Sequence, residues 1–136
     1  MKREVELNWI RFSRWGDVLN DKDGKYEFPC VYVLAEKDGT PLYIGKAATK
    51  RRVKGDTLWA GGLRARYYHD WTVLDASMKG TGRHIFIAEA DSRKASGIER
   101  QLIYENKPEY NGNDKTTTPV TSMVLIHKGT PPRLKK

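Results

Sequence analysis

The sequence predicts a small α/β (α+β) domain, one central antiparallel or mixed sheet flanked by helices. Three observations carry that expectation. The length of 136 residues falls in the ~100–200-residue range of one domain. Short β-branched and aromatic runs alternate with segments of helical period. The composition, 38% hydrophobic and 31% charged, is that of a globular chain and not of a disordered or membrane one.

In chain order, Asp21-Lys22-Asp23-Gly24 is a turn signal that sets off an N-terminal segment with Trp9, Ile10, Phe12 and Trp15 as its apolar residues. Residues 1–29 are read as an extension packed on the core. Cys30-Val31-Tyr32-Val33-Leu34-Ala35 is β-branched, aromatic and apolar, and predicts a strand. Asp38-Gly39 turns the chain, and Pro41-Leu42-Tyr43-Ile44-Gly45 returns as the second strand of a hairpin. A basic loop over 46–62 with Gly61-Gly62 follows, then a helix over about 63–71. His84-Ile85-Phe86-Ile87-Ala88 predicts a third strand. Ser92 is placed to cap a helix that ends near Asn106, stopped by Lys107-Pro108. Residues 120–127 predict a late strand, and 114–136 close with a basic tail.

The single cysteine, Cys30, excludes an internal disulfide and any multi-cysteine zinc site. The longest apolar run, residues 30–35, is far below the ~20 residues that span a bilayer. No apolar stretch follows the charged start, so a cytoplasmic address without membrane contact is expected. Charge is uneven. Residues 1–29 balance, whereas residues 46–69 carry Lys46, Lys50, Arg51, Arg52, Lys54, Arg64 and Arg66 against Asp56 alone. A basic block inside a folded domain is the footprint of a phosphate-backbone binder, and a solvated surface kept for solubility is the alternative.

A two-residue Asp38-Gly39 turn sets Tyr43 opposite Leu34 and Gly45 opposite Tyr32. Both tyrosines then share one face, whereas a loop one residue longer places them on opposite faces. On the second helix, at ~100° per residue, Ala95, Ile98, Leu102 and Ile103 form an apolar arc. Glu99 falls inside that arc, while Arg100 and Gln101 point away. A carboxylate among core residues is costly unless paired, protonated or bound to a cation. Glu99 is therefore either a metal ligand or half of a structural ion pair. On the first helix Leu63, Tyr67 and Trp71 form the core stripe, Arg64 and Arg66 flank it, and His69 faces outward.

Taken together these segments resemble the GIY-YIG nuclease family. Cys30-Val31-Tyr32 and, ten residues on, Tyr43-Ile44-Gly45 are similar to its signature, with Cys30 in place of the first glycine. Gly45-Lys46-Ala47 continues the pattern as in the N-terminal nuclease domain of bacterial excision-repair incision subunits. Leu63-Arg64-Ala65-Arg66 resembles the segment ending in the family's catalytic arginine. Ile98-Glu99-Arg100-Gln101-Leu102-Ile103, followed by Lys107-Pro108-Glu109-Tyr110-Asn111, is similar to its metal-binding glutamate helix and closing Pro-x-Tyr-Asn. The resemblance spans about residues 30–113. Two departures stand out: a long insertion separates Gly45 from Arg66, and the position four residues after Arg66 is Asp70, with His69 before it. Taking Arg64 as the arginine would put Tyr68 at that spacing.

The resemblance implies a metal-dependent DNA endonuclease with one Mg²⁺ or Mn²⁺ per site, held by Glu99 and waters. It implies Arg66 against the scissile phosphate, Tyr43 supported by Tyr32 in activating water, Asn111 holding the site in register, and His69 as an auxiliary. A free tyrosine titrates near ~10, so Lys46 or the metal would lower it. The basic residues Lys46, Lys50, Arg51, Arg52, Lys54 and Arg64 would hold substrate backbone. DNA of either strandedness, or RNA, is the expected partner, acted on by a monomer or homodimer. The rival reading keeps the fold and the basic surface as a non-catalytic nucleic-acid-binding module.

Overall fold

In the computed structural model, the residues described are 3–12, 28–47, 51–53, 56–58, 83–91, 93–114, 119–120 and 122–134. Their elements run β1 (Arg3–Phe12), β2 (Cys30–Glu36), β3 (Pro41–Ala47), β4 (Arg51–Val53), β5 (Asp56–Leu58), β6 (Arg83–Glu89), α1 (Ala95–Asn106), a 3₁₀ turn (Glu109–Asp114) and β7 (Met123–Gly129). Five strands form a mixed sheet in the order β3-β2-β6-β1-β7. All contacts are antiparallel except β1 with β7, which is parallel. This is the expected α/β class. Among the described residues no helix is long and apolar enough to cross a membrane.

β2 lies inside the sheet and is buried on both faces from Cys30 to Ala35. A strand covered on both sides reads as an unbroken apolar run, and that is why this segment was legible. Val31, Val33 and Ala35 share one core with Ile44, Phe86, Leu7, Trp9 and the α1 residues Ile98, Leu102 and Ile103. Cys30, Tyr32 and Leu34 share the other with Leu42, Ile85 and Ile87, and Phe12, Phe28, Tyr43 and Tyr110 pack against it. The sheet thus has an α1 face and a tyrosine face.

β1 gives the start of the N-terminal segment its place. Arg3–Phe12 is a sheet strand between β6 and β7. Leu7 and Trp9 are buried on the α1 face, whereas Glu4, Glu6, Asn8 and Ile10 are exposed. That alternation is the mark of a strand with one face covered. Ile10, counted above among the apolar residues, is 42% exposed.

Three local expectations also change. The hairpin loop has three residues rather than two: the Glu36 N–H bonds the Thr40 carbonyl, and the Gly39 N–H bonds the Glu36 carbonyl. Gly39 has φ +94°, the left-handed conformation that closes a three-residue loop. A one-residue register shift follows between Leu34 and Ala35, so that Tyr43 again faces Leu34 and Gly45 faces Tyr32. The bulge cancels the extra loop residue and restores the parity that a two-residue turn would give. Second, the stretch read as a basic loop holds a short antiparallel ribbon, β4 with β5. Third, α1 starts at Ala95 with Lys94 at its N-cap and no side-chain cap bond. Asp91 organises the entry: its Oδ1 accepts from the Arg93 N–H at 2.8 Å, and its carbonyl accepts from Lys94 and Ala95; Ser92, the expected cap, lies outside the described residues. The helix ends as expected, with Lys107 left-handed at φ 45° before Pro108.

Candidate functional site at the β3 edge

β3 is an edge strand, and Tyr43, Lys46, the ring of Tyr32 and the amide of Asn111 meet along it. Tyr32 and Tyr43 stand on the tyrosine face with ring centroids 6.2 Å apart and planes tilted by 36°. Tyr32 is 1% exposed. Its ring lies over Gly45, where a Cβ would come within 2.5 Å of the Tyr32 hydroxyl oxygen and Cζ. Glycine is required here by close approach: any side chain would push Tyr32 off the strand. The hydroxyl of a core tyrosine is thereby carried out beside the sheet edge.

Asn111 comes from the 3₁₀ turn, 67 residues further along the chain, and is 4% exposed. Its Oδ1 accepts from the Ile44 N–H at 3.0 Å, and its Nδ2 donates to the Ile44 carbonyl at 2.9 Å. The side-chain amide thus imitates one residue of a missing neighbour strand. It satisfies two edge groups and fixes β3 between the flanking Tyr43 and Gly45. Pro108 and the left-handed Lys107 end α1 abruptly, delivering the turn to this edge.

On the opposite side of β3, Lys46 points toward α1, where its Nζ donates to Ser96 Oγ. Glu99 lies one helical turn beyond Ser96, on the same side of α1, and is half-buried. Tyr32 and Tyr43 stand on one face of the sheet and Lys46 on the other, toward the helix that carries Glu99. Gln101 was expected to point away; it is instead 8% exposed. Its Oε1 accepts from the Val120 N–H at 2.6 Å and its Nε2 donates to Glu105 at 2.8 Å. The segment leading to β7 covers that flank of α1, which the helix period alone does not reveal.

Arg64, Arg66, His69, Lys50 and Lys54 lie outside the described residues, as does the expected helix over 63–71. Arg51 and Arg52 belong to β4. For a metal, the donor chemistry present is one half-buried carboxylate, Glu99 of α1. A divalent cation such as Mg²⁺ binds through one or two carboxylates and keeps several waters, so this donor fits a hydrated ion of that kind. Among the described residues no three His, Cys, Asp or Glu side chains cluster.

No family model and no solved structure matches the chain. It is similar to the UvrABC system protein C of Deinococcus radiodurans, 34% identical over 83 residues. That stretch covers 61% of this chain and 12% of that protein, so the chain corresponds to a small part of this relative.

Proposed function

We propose that this chain is a metal-dependent DNA endonuclease that hydrolyses phosphodiester bonds at the β3 edge by GIY-YIG-type chemistry. The observation that carries the reading is the hairpin register. It sets the Tyr32–Tyr43 pair against Gly45 on a strand whose other side carries Lys46, next to the helix of Glu99. The motif order and the similarity to a UvrABC system component support it.

In this reading Tyr43, in its phenolate form, takes a proton from the attacking water and becomes the neutral phenol, and Tyr32, wedged over Gly45, holds it in place. Such positioned acid–base groups contribute ~10²–10⁴-fold in rate. Arg66 braces the non-bridging oxygens, for which its planar fork is suited, and His69 is an auxiliary proton carrier. Asn111 keeps the edge strand in register. Lys46, Lys50, Arg51, Arg52, Lys54 and Arg64 neutralise substrate phosphates. Glu99 would hold one Mg²⁺ or Mn²⁺, which when bound supplies Lewis-acid stabilisation of phosphorane charge.

Incubating labelled single- and double-stranded DNA and RNA with Mg²⁺, Mn²⁺ or EDTA tests the reading. Cleavage that stops with EDTA and with Glu99→Gln, while substrate binding persists, supports it. Salt-sensitive binding with no cleavage under any metal would select the binding-module reading. A Glu99→Gln variant that is destabilised yet fully active would make Glu99 half of a structural ion pair.

A further inference from the structure

We propose that two copies of this chain associate through β7, their sheets joining edge to edge in antiparallel register. The Arg3 N–H bonds the Ser122 carbonyl and the Thr130 N–H bonds the Trp9 carbonyl. The even-numbered residues of β7 therefore turn their peptide groups toward β1, and Leu125 and His127 turn theirs outward. Among the described residues no strand pairs with that outer side, and a row of unpaired N–H and C=O groups is a template for another strand. The opposite edge is closed by Asn111; among the described residues this one has no such device.

The side chains select the occupant. On the face away from α1, β7 presents Val124, 41% exposed, then Ile126 and Lys128. Beside them β1 presents Glu4 and Glu6. In antiparallel pairing, outward-facing residues form the hydrogen-bonded pairs, and Leu125 opposite His127 of the second copy makes two such pairs about the dyad. That register puts Ile126 against its own copy on the axis and Lys128 of the second copy against Val124. Strand spacing then leaves this Lys128 and Glu4 two strands apart, about 10 Å between Cα atoms, within side-chain reach. Each Lys128, already on Glu6 of its own chain at 2.8 Å, would bridge to a carboxylate of the other. An apolar pair on the axis flanked by two ion bridges is self-complementary, as a twofold contact must be. The proposal stands on this edge alone and not on the nuclease reading.

Equilibrium sedimentation of the full chain over a concentration series is the test, with Ile126→Lys, Ile126→Glu and their equimolar mixture. Like charges facing across the dyad should weaken self-association roughly tenfold or more in each variant alone. The mixture should recover it, because lysine then faces glutamate. Should circular dichroism show that either Ile126 variant fails to fold, Val124→Lys serves instead: its site is exposed, and the new charge faces Lys128 of the second copy. A wild-type chain that stays monomeric up to its solubility limit overturns the proposal. So does a dimer that survives these substitutions, or a mixture no tighter than its components.

Discussion

At the β3 edge Ile44 turns its N–H and C=O outward and the buried amide of Asn111 takes both, whereas at the β7 edge Leu125 and His127 turn theirs outward with no strand beside them among the described residues. The first edge is closed by one side chain and carries the candidate site. The second is held to the body of the protein from the α1 face, where the Trp9 indole N–H donates to His127 Nδ1 at 3.0 Å. Closing an edge with a side-chain amide leaves room beside the strand for a substrate, which a sixth strand would fill. It also makes the register of the site depend on a single residue.

Removing that residue should have the largest effect. Asn111→Ala leaves the Ile44 N–H and C=O buried and unsatisfied, and should lower stability by about 2–4 kcal/mol in urea unfolding, with cleavage falling alongside. An Asn111→Ala chain as stable as wild type would mean that water replaces the amide and that the edge is not closed by it. Gly45→Ala comes next. A methyl 2.5 Å from the Tyr32 hydroxyl must displace the ring, and overpacking of this kind costs roughly 1–3 kcal/mol. Adding Tyr32→Leu should recover part of that loss. A double-mutant cycle reads this as a coupling of roughly 0.5–3 kcal/mol, and strict additivity would deny the contact.

The β7 side differs in being titratable. Burial holds His127 below the usual histidine value, with Glu105 pulling part of the way back, and Nδ1 can accept from Trp9 only while unprotonated. An unfolded histidine titrates near ~6.5, so as pH falls below that the unfolded chain takes up the proton first. The contribution is complete above ~6.5 and is lost as pH drops toward the lower folded value. Melting temperature should therefore decline on acidification, and His127→Gln, which keeps an acceptor for Trp9, should flatten the decline. A residual slope is expected from His84, also held low by burial and by Arg11 and Lys37 beside it. The Asn111 clasp, having no titrating group, should add nothing to the slope. The smallest effect is expected from Ser96→Ala. Its bond to Lys46 is exposed and is worth roughly 0.5–1.5 kcal/mol at most, so stability should barely move while the cleavage rate reports whether the tie positions Lys46.

By itself the sequence determined the strands and helices whose environment writes a local pattern. β2 is covered on both faces and reads as a continuous apolar run, and α1 is bounded by a core arc and by Lys107-Pro108. It left open whether Tyr32 and Tyr43 share a face: the longer loop alone would part them, and the compensating bulge between Leu34 and Ala35 that brings them together is read only from the folded hairpin. β1 carried its own signal, Val5, Leu7 and Trp9 alternating with Glu4, Glu6 and Asn8, but a period of two names a face and not a neighbour. Only the tertiary structure decided that this strand lies between β6 and β7. The same holds for Gln101, whose place on the helix wheel says nothing about the chain that crosses it at Val120, and for Asn111, whose partner lies 67 residues away. Local period records which side of an element is dry; which distant backbone a polar side chain must satisfy is settled only when the packed chain brings the two together and excludes water from both.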